Sequence, residues 1–97
     1  MKPAKYHRLA RSELISSALY YDKRNRGLGE RFLKAVEAAE ACIREQPLWG
    51  QPFESGTRKL RIKKFPFVMI YKELSDSIMV YAIPHFSRKP GYWLDRL

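Results

Sequence analysis

The feature that most constrains this fold is a change in the spacing of apolar residues near Pro47. Before that proline, apolar side chains recur at the helical period of about 3.6 residues. After it they alternate with polar side chains, as in a strand with one buried face. A chain that passes from one period to the other predicts an α+β domain, with helices packed on one face of a small antiparallel sheet.

The first half of the sequence predicts two helices separated by a glycine break. The first helix is expected from Ala10 to Asn25 and the second from Leu28 to the residues before Pro47. Glycine in the stretch Asn25–Gly29 supplies backbone angles that other residues avoid. Proline disfavours helical geometry in the residue before it, which ends the second helix. The two helices should form an antiparallel hairpin, with Cys42 as a buried thiol.

The second half predicts three strands in an antiparallel meander. The runs are Thr57–Lys64, Phe67–Lys72 and Ser77–Ile83, and the last two are close enough for a hairpin. A short strand at Ala4–Leu9 is expected to join the same sheet. The predicted order is therefore strand, two helices and three strands, in a single domain over residues 1–97.

A loop is predicted at Leu48–Gly56, because it holds two glycines and a proline. It also carries Trp49 and Phe53. Aromatic residues in such a loop most often pack against the protein itself. We therefore expect both rings at the edge of the core.

The formal net charge is +9, from 19 Lys and Arg against 10 Asp and Glu. Such a field attracts nucleic acid, acidic proteins or anionic surfaces. Alternation along Thr57–Lys64 would set Lys59, Arg61 and Lys63 on the polar face of one strand. Two interpretations stay open at this point. These cations form a binding face, or they protect an edge strand from pairing with other chains.

Several classes of function find no support in the residues. His7, His85 and Cys42 have no paired spacing that would surround a metal ion. No glycine-rich phosphate loop is present, so no cofactor is expected. No apolar run reaches the ~20 residues that cross a bilayer, and the amino-terminal stretch lacks the apolar segment of a signal peptide. A cytoplasmic protein without a membrane partner is predicted.

The segment after the last predicted strand collects chemically active side chains. Between His85 and Trp93 it holds an imidazole, two cations and three aromatic rings. Metal-independent cleavage of a phosphodiester needs a base, an acid and cations that hold the phosphate. His85, Arg88 and Tyr92 are the candidate catalytic residues for that chemistry. Contacts between cations and rings inside the domain would explain the same cluster.

Taken in order, the short motifs of this chain resemble the ParE branch of the RelE/ParE toxin superfamily. The residues that carry the resemblance are GLGERFL at 27–33, Val36-Glu37, Pro47, Phe65-Pro66-Phe67, Ile70-Tyr71 and HFSRKPGYW at 85–93. The resemblance covers nearly the whole chain. It implies the toxin of a bacterial type II toxin–antitoxin pair, which inhibits growth.

Within that superfamily two activities are known, and the shared fold does not choose between them. ParE members stall DNA gyrase on DNA, whereas RelE members cut messenger RNA on the ribosome. RelE members carry an arginine on the strand that resembles Phe67–Tyr71, where this chain has the apolar Val68. The resemblance therefore favours a gyrase-binding toxin that is not an enzyme. A RelE-like ribonuclease, and a degenerate toxin that only binds its antitoxin, remain as alternatives.

The resemblance also implies two binding surfaces. The antitoxin should be small, acidic and partly disordered, and it should add a helix or strand to the toxin. Its expected contacts are Leu14, Leu19, Phe32, Phe67 and Met69. The expected contacts with the target are Lys59, Arg61, Lys63, Arg88, Lys89, Tyr92 and Trp93.

Overall fold

In a computed structural model of the chain, which describes residues 1–97, two helices lie side by side on one face of a five-stranded sheet. The helices are α1 (Arg8–Arg24) and α2 (Leu28–Glu45). The strands are β1 (Ala4–Tyr6), β2 (Gln51–Pro52), β3 (Arg58–Arg61), β4 (Val68–Glu73) and β5 (Ile78–Ala82). Short 3₁₀ turns lie at Glu54–Gly56 and Leu94–Arg96.

The chain breaks between the two helices at the glycines, as the sequence predicts. Gly27 has φ of 84°, in the left-handed region that favours glycine. Gly29 lies against α1, and a Cβ there would collide with the carbonyl of Ala18. The Asp22 carboxylate accepts a hydrogen bond from the Gly29 amide at 2.7 Å, so α1 supplies a cap for the start of α2.

The strands lie in the order β1-β5-β4-β3-β2. The predicted α+β class is confirmed, but the sheet differs from the prediction in two respects. β1 pairs in parallel with β5, with Ala4 opposite Ile78, so the sheet is mixed. The segment predicted as a loop contributes a two-residue edge strand, β2. This strand was not predicted, because its residues show no alternation of apolar and polar side chains.

The main core lies between the helices and the sheet. Its helical side comes mostly from α2, whose Phe32, Val36 and Ile43 are almost fully buried. From the sheet, Met69 and Tyr71 of β4 point into the same layer. The rings of Phe32 and Phe67 are 4.9 Å apart between centroids, within an aromatic group that also includes Tyr21 and Phe65.

A second and much smaller core lies on the opposite face of the sheet. There Trp93 packs on Ile70 and Ala82, with Phe53 at the rim. The side chain comes from the segment that follows β5, which folds back across the sheet. Trp93 is only 2% exposed.

Two expectations about individual residues are wrong. Cys42 is exposed, because it lies one position before the buried Ile43 and therefore outside the apolar stripe of α2. Trp49 is 61% exposed rather than packed at the core edge. Phe53 does pack there, 5.9 Å from Trp93 between ring centroids. Neither helix is long and apolar enough to cross a membrane.

Candidate functional site

The segment from Ile83 to Trp93 is positioned by the end of the sheet. The Val68 amide donates to the Pro84 carbonyl at 3.1 Å, and the Phe86 amide donates to the Pro66 carbonyl at 2.8 Å. A single bridge between Phe67 and His85 extends the pairing of β4 with β5 past the last regular residue. These backbone bonds fix where the following side chains emerge.

His85, Arg88 and Tyr92 form a ridge between two cavities. The first, of about 410 Å³, lies between α1 and the end of β5 and includes hydroxyl groups of α1. The second, of about 300 Å³, lies on the sheet face opposite the helices. Its lining includes Lys59, Lys89 and, as its floor, Trp93. We call this second cavity the cationic groove.

Tyr92 is held between two arginines. The guanidinium of Arg88 lies 3.9 Å from the centre of its ring and that of Arg96 lies 5.1 Å away. Its buried hydroxyl has no partner in hydrogen-bonding geometry, although the Glu13 carboxylate lies nearby. Burial, together with the neighbouring Glu13 carboxylate, raises the pKa of Tyr92 well above its ordinary value. Tyr92 is therefore a neutral phenol at physiological pH and cannot serve as a base.

Glu13 and Arg96 fasten the carboxyl-terminal turn to α1. Arg96 Nη2 lies 2.7 Å from Glu13 Oε2, and Arg96 Nη1 donates to the Tyr81 carbonyl at 2.9 Å. The other oxygen of Glu13 accepts from the Ile83 amide at 3.0 Å. Both side chains of the pair are largely buried, at 8% and 17% exposed. One carboxylate thus joins α1, the end of β5 and the turn at Leu94–Arg96.

His85 is exposed, but one of its ring nitrogens is occupied. Nδ1 accepts a hydrogen bond from the Ser87 amide at 3.0 Å, and the Ser87 hydroxyl lies 2.8 Å away. In the neutral imidazole the proton is therefore assigned to Nε2. The nitrogen that faces solvent is then a donor, which disfavours a role as general base.

The cations of β3 lie on the same sheet face as the cationic groove. Lys59 is opposite Ile70 and Arg61 is opposite Val68, and Ile70 belongs to the core beneath Trp93. Lys59 Nζ lies 4.5 Å from the Phe53 ring centre, and the Arg61 guanidinium lies 5.3 Å from that of Phe86. Both of these cations therefore already contact aromatic rings within the domain.

The structure thus brings together most of the predicted target-binding residues. Lys59, Arg88, Lys89 and Tyr92 border the cationic groove, and Arg61 lies beside it. Lys63 lies in the turn after β3 and is exposed, outside the groove. Trp93 is buried beneath the groove, so its predicted direct contact with a target does not fit; it supports the surface from below.

The predicted antitoxin contacts separate into core and surface. Phe32, Phe67 and Met69 are buried in the main core, so a partner cannot reach them without opening the domain. Leu14 is partly buried against the same core. Leu19 is 59% exposed and remains available as a contact. The apolar pattern predicts burial but does not show which flank of a helical stripe stays in solvent.

Leu19 belongs to a shallow groove between the two helices. Ile15 and Leu33, which sequence reasoning did not select, line the same groove of about 280 Å³ and are also exposed. For Ile15 the signal was a stripe of apolar residues on α1, which is wider than the single fully buried residue of that helix, Ala10, requires. We call this surface the helix groove.

A solved structure supports the fold of this chain, whereas the comparisons by sequence find no relative. No family model matches the chain, and neither does any curated protein. Among solved structures, a chain described as "Chromosomal ParDE TA system from P. aeruginosa" is similar, with a TM-score of 0.66 and 23% sequence identity. The match covers 88% of this chain and 96% of that chain. The fold predicted from the resemblance is thereby confirmed: this chain shares its α+β fold with that chain of a ParDE system.

Proposed function

We propose that this chain is the toxin of a type II toxin–antitoxin pair, that it acts by binding DNA gyrase, and that a cognate antitoxin neutralises it. The fold shared with a chain of a ParDE system supports this function. The observation that carries it is the cationic groove, where Lys59, Arg88 and Lys89 meet on one exposed face over a fixed aromatic floor. Such a surface suits capture of a large acidic or nucleic-acid-bound partner.

The groups that bond cleavage would need favour binding over catalysis. Tyr92 is a buried neutral phenol, and the solvent-facing nitrogen of His85 is a donor. Val68, at the place of the RelE-type arginine, offers no charge to a phosphate beside Arg61. A ribonuclease would have to rearrange all three positions.

One observation favours the ribonuclease as the second candidate. His85, Arg88 and Tyr92 do meet along one cavity, as metal-independent cleavage would require. In its doubly protonated form, His85 would act as the acid: it would give its Nε2 proton to the leaving oxygen of a phosphodiester held near Arg88, as the bond from phosphorus to that oxygen breaks. The base would then have to come from elsewhere in the site.

The antitoxin is proposed to occupy the helix groove. That groove belongs to the helical layer, whereas the cationic groove belongs to the opposite face of the sheet. An amphipathic acidic segment would bury Ile15, Leu19 and Leu33 and would match the net charge of +9. Co-expression with the neighbouring reading frame is expected to restore growth.

The test combines induction in bacteria with a gyrase supercoiling assay. Inhibited supercoiling, trapped cleaved DNA and filamentation with a DNA-damage response are expected. Cleaved transcripts with intact DNA would establish the ribonuclease instead. Normal growth with antitoxin binding retained would identify a degenerate toxin and overturn the proposal.

A further inference from the structure

The loop between α2 and β2 presents two large apolar side chains to solvent. Leu48 is 70% exposed and Trp49 is 61% exposed, and they are adjacent in the chain. Single exposed apolar residues are ordinary on a protein surface. An exposed tryptophan beside an exposed leucine is less ordinary, because burying the pair against a partner would remove a large apolar area from water.

The backbone of this loop is held by buried polar groups. The Tyr71 hydroxyl, which rises from β4, donates to the Pro47 carbonyl at 2.8 Å and accepts from the Gly50 amide at 2.8 Å. Arg58 Nη1 donates to the Gly50 carbonyl at 2.8 Å. The Trp49 amide closes the turn by donating to the Gln46 carbonyl at 2.9 Å.

Gly50 shows how closely the loop is fitted. A Cβ at this position would lie 2.6 Å from the Tyr71 hydroxyl and 2.9 Å from the Lys59 carbonyl. The loop therefore approaches the sheet at a distance that only glycine permits. Its backbone is fixed at both ends while Leu48 and Trp49 point outward. A side chain presented from a fixed backbone loses less conformational freedom on binding, which favours its use as an anchor.

The surroundings of the loop indicate what kind of partner it fits. A groove of about 390 Å³ runs from Trp49 to the outer face of β3, where it meets Lys59 and Arg61. Between Gln46 and Lys72 the chain holds six basic residues and one acidic residue, Glu54. An apolar anchor in a positive field complements an acidic surface that carries an apolar pocket.

We propose that Leu48 and Trp49 are the apolar anchor by which this chain binds an acidic protein surface, and that this surface belongs to its target rather than to its antitoxin. The groove that begins at Trp49 shares Lys59 and Val68 with the cationic groove, so the anchor and the cationic groove lie on one continuous face. It lies apart from the helix groove, which shares no residue with it. The inference rests on the proposed function, since it assigns a contact within gyrase binding.

The experiment compares Trp49→Ala with Leu19→Ala, a control of similar exposure on the helix groove. Each purified full chain is titrated into the DNA gyrase supercoiling assay, and its affinity for the co-expressed antitoxin is measured. Trp49→Ala should raise the concentration for half inhibition by about tenfold or more, as for a central interface tryptophan. Its antitoxin affinity and thermal midpoint should stay unchanged. Leu19→Ala should show the reverse pattern.

Further variants test the chemistry of the contact. Trp49→Phe should restore most of the inhibition, because an aromatic ring can still fill an apolar pocket. Added salt should weaken the wild type and Trp49→Ala by the same factor, because the cations remain in both.

The outcomes separate this inference from the proposed function. Inhibition by Trp49→Ala at wild-type concentrations overturns the anchor and leaves the gyrase proposal standing. Loss of antitoxin binding in Trp49→Ala assigns the loop to the antitoxin and also overturns it. A wild-type chain that does not inhibit gyrase overturns both.

Discussion

The two faces of the sheet are stabilised by different kinds of interaction. On the helix side, Phe32, Ile43 and Met69 are fully buried and the contacts are almost entirely apolar. On the other side, Trp93 covers little more than Ile70 and Ala82, and charged groups fasten the covering segment. The first face therefore stabilises the fold, whereas the second holds a surface in place.

The largest expected effect comes from the helix side. Phe32→Ala removes a buried ring from the middle of the main core and should lower the free energy of unfolding by about 3–5 kcal/mol. Urea denaturation measures the loss. Leu33→Ala, at the next and exposed position of α2, is the control and should change it little. Equal losses for both variants would contradict the assignment of this face.

The second largest effect is expected from removing the ion pair between Glu13 and Arg96, which holds the segment that covers the opposite face. Glu13→Gln leaves the Arg96 guanidinium without its carboxylate and should cost about 1.5–3 kcal/mol. Glu30→Gln, which removes an exposed pair with Lys34, should cost almost nothing. Amide exchange should rise in residues 91–97 before it rises in α2. Uniform exchange along the chain would show that the two faces open together.

The third effect concerns activity rather than stability. Arg88→Ala combined with Lys89→Ala should weaken growth inhibition and gyrase inhibition by about tenfold, or about 1.4 kcal/mol. Both positions are exposed, so the thermal midpoint should hold. Lys23→Ala with Arg24→Ala, an exposed cationic pair at the end of α1, is the matched control for lost charge. Undiminished killing by the Arg88 and Lys89 variant would remove the cationic groove from the function.

The smallest effect tests the hydroxyl of Tyr92. Because that hydroxyl is buried without a hydrogen-bond partner, Tyr92→Phe should leave stability at pH 7 unchanged or raise it by less than about 1 kcal/mol. Tyr6→Phe should instead lower it by about 1 kcal/mol, since the Tyr6 hydroxyl donates to Glu40 at 2.7 Å. Thermal midpoints of the two variants give the comparison.

The same tyrosines predict an alkaline limit. Burial raises the pKa of Tyr6 and of Tyr92, so each keeps its proton in the folded state after the unfolded chain begins to lose its own near pH 10. The unfolded state then binds fewer protons, and stability falls as pH rises above about 10. In Tyr92→Phe that fall should be shallower. An equally steep fall would mean that Tyr92 does not contribute to it.

The period of the sequence was enough to predict the layers, since both helices and the strands β3, β4 and β5 lie within a few residues of their expected bounds. The pairing of β1 could not be predicted, because this strand is only three residues long and no residue in it indicates a parallel partner 74 positions away. The alternation of apolar and polar side chains predicts which face of a strand is buried, but it does not predict which strand lies beside it.

At the candidate site, the sequence predicted which residues lie together, but it did not predict how deeply each one is buried. His85, Arg88 and Lys89 are exposed as a working surface requires. Trp93 and Trp49 were assigned the wrong way round, the first buried and the second in solvent. Their positions depend on Glu13 and Tyr71, distant in sequence, whose contacts fold one segment inward and hold the other out.

The parallel contact between β1 and β5 has a consequence for biosynthesis. The Ile78 amide donates to the Pro3 carbonyl at 2.9 Å, so the first strand finds its neighbour only after three quarters of the following residues have been made. A contact of such long range is slow to form. While the ribosome is still at work, the helical hairpin can assemble but the sheet has one side open. The sheet should therefore be completed late in synthesis, after the two helices are already able to pack on each other.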